Sequence, residues 1–284
     1  MERDESTGIA RVTLDNPGHR NAYDPPMREQ LGGYLDELAA DDDIKVVLLR
    51  GEGGVFSAGA DMANAYSWYG KGAAGGNGPS PRQRPSQRRR LSVDRKTFDF
   101  YHNFIGYPKV IVAAVRGFAL GGGFEMALMA DISVVARDTR VGMPATRFLG
   151  PALGSLHMFF YRLGPTLARR FLLTGDTLAA EKLEHLSIFT EVTDDVAVEA
   201  RADWWARKAA RMPADGIVIA KEAFRLVEQL QGYQGEEVAS YLFHAFGTNL
   251  QFEDGEFNFV KTRAKHGAKE AFDICKEHFE VPEP

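Results

Sequence analysis

Apolar and polar residues alternate from Gly8 to Asp15, "GIARVTLD", which predicts a strand. From about Pro25 the period changes. Met27, Leu31, Tyr34, Leu35 and Leu38 recur at helical spacing, so a helix follows. Three compact β-rich runs come next: "IKVVLLRG", closed by Gly51, then "KVIVAAVRG" at 109–117 and "ISVVARD" at 132–138. Strands alternating with helical stretches predict an α/β core. Beyond about residue 150 the pattern turns nearly all helical, with apolar stripes in "VEARADWWARKAARM", "IVIAKEAFRLVEQL" and "EEVASYLFHAFGTNLQF". No internal sequence repeat is visible. The expected organisation is an α/β core over 1–210 and a helical C-terminal section over 211–284.

Residues 70–96, "GKGAAGGNGPSPRQRPSQRRRLSVDRK", show no periodicity and are rich in Gly, Pro, Ser and Arg. A mobile loop is expected. Within 82–96, seven cations stand against Asp94, a local charge of +6 that leaves about −11 for the rest of a chain whose formal charge is −5. A solvated loop is the first reading of this run, attraction for a phosphorylated ligand the second, and nucleic-acid binding a distant third. The overall acidity argues against a general nucleic-acid binder. Gly70, Gly72 and Gly75 have the spacing of a dinucleotide fingerprint, but without the strand before and helix after that the motif needs. There is no Walker loop, nucleophile elbow or Cys/His metal spacing. No run is long enough to span a membrane, and the charged "MERDESTG" start does not read as a secretory signal. The single cysteine, Cys275, suits a reducing cytoplasm and reads as a structural thiol.

Candidate chemistry concentrates in two glycine-bearing turns. In "GFALGGGFEMALMAD", residues 117–131, a buried strand turns and a helix starts near Gly122. The first N–H groups of a helix lack internal partners and lie at its positive end. Gly121–Gly123 thus present amides to a developing negative charge, with Glu125 in the first turn beside them. The alternative is that the glycines serve close packing and Glu125 offsets the helix dipole. A second turn of the same kind occurs in "VVLLRGEGGVFSAGADM", where the amides of Ser57 to Asp61 follow a buried strand. Two such turns from neighbouring strands would supply the two converging donors an oxyanion needs.

These segments, together with "IARVTLDNPGHRNAYD", "PKVIVAAVRGFALGGGFEMALMADISVVARD", "RLGPTLARRFLLTGDTLAAEKL" and the tail "EDGEFNFVKTR", resemble the crotonase (enoyl-CoA hydratase/isomerase) superfamily over most of the chain. The resemblance implies a spiral of ββα units and a helical section that packs on neighbouring subunits, as a trimer or dimer of trimers. It implies that Ala60 and Gly122 donate their amides to a thioester oxygen, flanked by Ser57, Ala58, Asp61, Met62 and Gly121. It places CoA near "GHRNA", with His19, Arg20 and Ala22 as contacts, and makes Glu125 a catalytic carboxylate. Coenzyme A enters as part of the substrate, and no separate cofactor or metal is expected. Neither a nucleic-acid nor a membrane partner is expected.

One position departs from the pattern. Where hydratases carry a second Glu after a proline, this chain reads "MPATRF": Ala145 follows Pro144. Alanine transfers no proton. Thr146 and Arg147 adjoin the gap, and His157 lies further on in an apolar helix where a core role is expected. Arg147 is too weak an acid to serve as a base. The resemblance also puts Tyr66, Trp68, Tyr69, Phe98, Tyr101 and Phe104 beside the acyl group, although plain packing accounts for most of them. The expected activity is hydration of a 2-enoyl-CoA. Carbon–carbon hydrolysis of a cyclic β-keto acyl-CoA, isomerisation, and thioester binding with little turnover stand as alternatives.

Overall fold

The computed structural model describes residues 1–62, 86–149, 156–247 and 252–281. The chain opens with β1 (Glu2–Asp4), β2 (Ile9–Leu14) and α1 (Pro25–Ala39), whose N-cap Asp24 accepts from the Met27 amide at 3.0 Å. Then come β3 (Val46–Gly51), α2 (Gln87–Ile105), β4 (Val110–Val115), β5 (Phe118–Leu120), α3 (Gly122–Met129), β6 (Ile132–Ala136), β7 (Arg140–Gly142) and α4 (Thr146–Leu149). The remainder comprises α5 (Leu156–Thr174), β8 (Thr177–Ala179), β9 (Glu191–Thr193), α6 (Val198–Ala210), α7 (Ala214–Glu228), α8 (Gln234–Gly247), α9 (Phe259–His266) and α10 (Ala268–Phe279).

The main sheet has the order β1-β2-β3-β4-β6-β9, parallel except for β1 against β2. Its central strands β3, β4 and β6 are covered on both faces, which is why they read as nearly unbroken apolar runs. Val46, Leu48, Val110, Val112 and Val134 face α6, packing on Val198, Ala202 and Ala206. Their neighbours Val47, Leu49, Ile111, Ala113 and Val135 join the larger core on the other face. A small second sheet, β5-β7-β8, lies apart from the first. Single rungs extend its logic: Ser57 pairs with Ala119, and Tyr23 with Ala60. The chain thus repeats one unit, a long strand in the main sheet, a short extended stretch beside it, then a helix. β4-β5-α3 and β6-β7-α4 show it most plainly, and it is the ββα spiral that the resemblance implied.

One expectation needs correction. Residues 87–96 are not loop but the first half of α2, capped by Ser86, whose hydroxyl accepts from the Arg89 amide at 3.3 Å. The positions that α2 buries there are Arg90 and Asp94, so its inward face continues the Phe98–Tyr101–Ile105 stripe with charges, and no apolar period announces it. Residues 70–85 lie outside the described residues. The section after residue 150 is nearly all helical, with the short strands β8 and β9 completing the two sheets. The C-terminal helices return to the core. Lys221 of α7 holds Asp131 at 2.6 Å, and Asp131 in turn accepts from the Ile111 amide of β4 at 2.8 Å. α8 packs on α2, with the His244 ring 5.1 Å from that of Phe98.

Candidate active site

The turn after β3 is locked to the strand beside it. Phe56 and Ser57 donate their amides to the carbonyls of Arg116 and Phe118, and Leu120 donates back to Ser57 at 3.0 Å. The Ser57 hydroxyl donates to the Asn21 carbonyl at 2.8 Å and accepts from the Gly59 amide at 3.1 Å. On the other side Tyr23 donates its amide to Gly59 and accepts from Asp61, each at 2.9 Å. Ala60 sits between these bonds with its own N–H turned away from Tyr23. Among the described residues, no backbone carbonyl accepts from the amides of Ala60 or Gly122.

The two turns meet. Gly59 is in the left-handed region at φ +85°, and a Cβ there would lie 2.5 Å from the Leu120 carbonyl and 3.1 Å from the Gly122 nitrogen. The backbone that carries Ala60 is therefore pressed against the first residue of α3. The three consecutive glycines have separate reasons. Gly121 takes φ +53°, which a side chain rarely adopts. A methyl group on Gly122 would overlap the phenol oxygens of Tyr23 and Tyr101, and one on Gly123 would overlap the Ser57 carbonyl. Glu125 is three residues beyond Gly122, hence on the same helix face, and only 6% exposed.

Tyr23 and Tyr101 lie beside Gly122, and their hydroxyls are hydrogen-bonded to each other. Burial pushes both phenols well above their ordinary pKa. The Glu125 charge pushes the same way, and the buried Arg28 guanidinium opposes it. Arg28 of α1 donates to the Thr97 hydroxyl of α2 at 2.9 Å. No local motif marks Tyr23 or Arg28 as site residues. Tyr101 stood among the acyl-pocket candidates for its ring, not its hydroxyl. Phe98 and Phe104 are buried in the large core, whereas Tyr66, Trp68 and Tyr69 lie outside the described residues.

The "GHRNA" segment runs alongside the first turn. Ala58 donates its amide to the Arg20 carbonyl, the His19 Nδ1 lies 3.5 Å from the Asp61 carboxylate, and the Arg20 guanidinium covers the Phe118 ring at 5.1 Å. Ala22 is buried. Met62 closes the turn, and its carbonyl accepts from Arg263 of α9. Ala145 and the residues that follow it have structural occupations. Ala145 packs on the core, the Thr146 hydroxyl donates to the Leu172 carbonyl at 2.7 Å, and Arg147 donates to the Thr174 carbonyl at 2.9 Å. His157 is a core residue stacked on Tyr161, and burial, then Arg162, pulls its pKa down.

A family model for enoyl-CoA hydratase/isomerase matches residues 4–268. The chain belongs to the enoyl-CoA hydratase/isomerase family. Among relatives of this family, the probable enoyl-CoA hydratase echA8 of Mycobacterium tuberculosis is 30% identical over 93% of this chain and 95% of its own. The 1,2-epoxyphenylacetyl-CoA isomerase of Escherichia coli is 28% identical over 78% and 80%. An enoyl-CoA hydratase/isomerase from Xanthobacter autotrophicus Py2 superposes with a TM-score of 0.80 at 26% identity, covering 97% of this chain and 96% of that one. The family's crotonase fold is the one seen here.

Proposed function

We propose that the protein hydrates a 2-enoyl-CoA through an enolate held by the amides of Ala60 and Gly122. The observation that supports this reading is the closeness of the two turns: a Cβ on Gly59 would lie 3.1 Å from the Gly122 nitrogen, so the two amide-bearing turns lie side by side within one helical turn of a buried carboxylate. Such donors in a water-poor site stabilise charge that develops on the thioester oxygen. Glu125 takes the proton of the water that attacks C3. His19, Arg20 and Ala22, beside the first turn, are the proposed CoA side of the site, with Pro144, Ala145 and Thr146 on its far wall. CoA arrives with the substrate, and this lyase chemistry needs no other cofactor.

Crotonyl-CoA hydration, followed as loss of ultraviolet absorbance, tests the reading. Glu125→Gln should lower kcat about 10²- to 10⁴-fold, the usual span for a general acid/base. Binding without turnover by the parent protein would sink it. Ala145 favours a second reading within the family, carbon–carbon hydrolysis of a cyclic β-keto acyl-CoA, because an alanine there supplies no second carboxylate for water addition or for isomerisation. A panel of cyclic and aromatic acyl-CoAs separates the two. The proposed setting is acyl-CoA, including fatty-acid, metabolism in the cytoplasm, in a homotrimer or dimer of trimers. The outward face of α7, with Ile219, Phe224, Leu226 and Val227 exposed beside Leu230, supports the assembly.

A further inference from the structure

Hydration needs a proton at C2 as well as hydroxide at C3, and Ala145 supplies none. Within reach of Gly122 the structure holds two other acids. Both phenol oxygens, of Tyr23 and Tyr101, fill the space into which a Gly122 side chain would point. That direction and the Glu125 side chain share one face of α3, since residues three apart on a helix are neighbours. The hydroxyls are bonded to each other, so one phenol donates within the pair and the other keeps its proton for a further partner. Both are almost wholly buried, at 5% and 3% exposure, with few competing water contacts. They come from different elements: Tyr23 is paired through its backbone with the Ala60 turn, and Tyr101 projects from α2.

We propose that the Tyr23–Tyr101 pair is the proton donor to C2, doing the work of the carboxylate absent at Ala145. The step rests on the enolate reading above. Water attacks C3 and gives its proton to the Glu125 carboxylate, while the C2–C3 π pair moves to place negative charge on the thioester oxygen. A phenol O–H then breaks, its proton bonds to C2, and the enolate collapses to the thioester carbonyl. The phenolate regains a proton from the Glu125 carboxylic acid, so both groups end as they began and one water has been added. The raised phenol pKa values keep both hydroxyls protonated at neutral pH, the form the step requires. Arg28 acts as a positioning residue whose charge favours the transient phenolate.

Tyr23→Phe and Tyr101→Phe test the pair with crotonyl-CoA. Each should cut kcat about 10²-fold or more with KM changed little, and the double variant should be scarcely worse than the weaker single one, because the pair acts as a unit. 3,5-Difluorotyrosine at position 101 keeps the ring shape and acidifies the phenol. It should move the alkaline limb of the kcat/KM profile to lower pH, which a packing role would not do. If the Phe variants misfold by circular dichroism, the fluorinated protein decides alone. Phe variants within about threefold of the parent, or an unmoved alkaline limb, would overturn the proposal while leaving the enolate reading intact. A parent protein that shows no hydration sensitive to Glu125→Gln overturns both.

Discussion

An alanine at Gly122 would push its methyl group into the space held by the two phenols, and its next neighbour, Tyr23 Cζ, would lie at 2.8 Å. One phenol belongs to the segment paired with Ala60 and the other to α2, so neither can swing aside without disturbing the core. Overpacking of this kind costs about 1–3 kcal/mol. Separating the two hydroxyls adds about 1 kcal/mol for the hydrogen bond. The expected loss is thus about 2–4 kcal/mol, a fall of roughly 3–7 °C in Tm for a chain of this size. Thermal unfolding at one fixed protomer concentration measures it. The diagnostic is coupling. In a Tyr23→Phe/Tyr101→Phe background the clashing oxygens are gone, and Gly122→Ala should cost at least about 1 kcal/mol less than in the parent. Gly121→Ala serves as control: its methyl meets nothing, its φ of +53° alone costs about 1–3 kcal/mol, and the tyrosine background should not relieve it. Equal costs for Gly122→Ala in both backgrounds would refute the placement of the phenols.

Asp24→Ala removes the side chain that caps α1 and should destabilise the fold by about 1 kcal/mol in a denaturant titration. Burial pushes the Cys275 thiol up to about 11, with Arg147 partly offsetting it. A disulfide reagent at pH 8 should therefore label the native protein far more slowly than the unfolded one, and equal rates would contradict the burial. By linkage, the native state prefers the protonated thiol, so this contribution is intact below the ordinary value of 9.0 and is lost as pH rises from there to about 11. Sedimentation velocity should show an oligomer, and Leu226→Glu with Leu230→Glu, both outward on the α7 side, should shift it to the protomer.

Much of the site is legible in the amino-acid sequence. The strands β3, β4 and β6 are buried on both faces and announce themselves as apolar runs, β2 shows itself by its alternation, and α1 and α6 to α8 carry their periods in plain view. The glycine run and the "SAGAD" turn signal free backbone amides whatever surrounds them. What sequence alone could not show depends on partners distant along the chain. β5, β7, β8 and β9 are each three residues long, too short for a pattern, and exist because neighbours offer hydrogen bonds. The ββα unit repeats in space without repeating in sequence, since only its backbone path recurs. The first half of α2 hides because it buries Arg90 and Asp94 rather than apolar residues.

The sequence by itself determined the family, the two amide-bearing turns, Glu125 and the alanine at 145. Only the tertiary structure decided that Gly122 is a glycine on account of two tyrosines, 78 residues apart, whose hydroxyls meet beside it. Their hydrogen bond is a property of how α2 packs across the sheet onto the first turn. No local preference of either residue encodes it, because a phenol's hydroxyl lies at the far end of a ring whose own neighbourhood reads only as core.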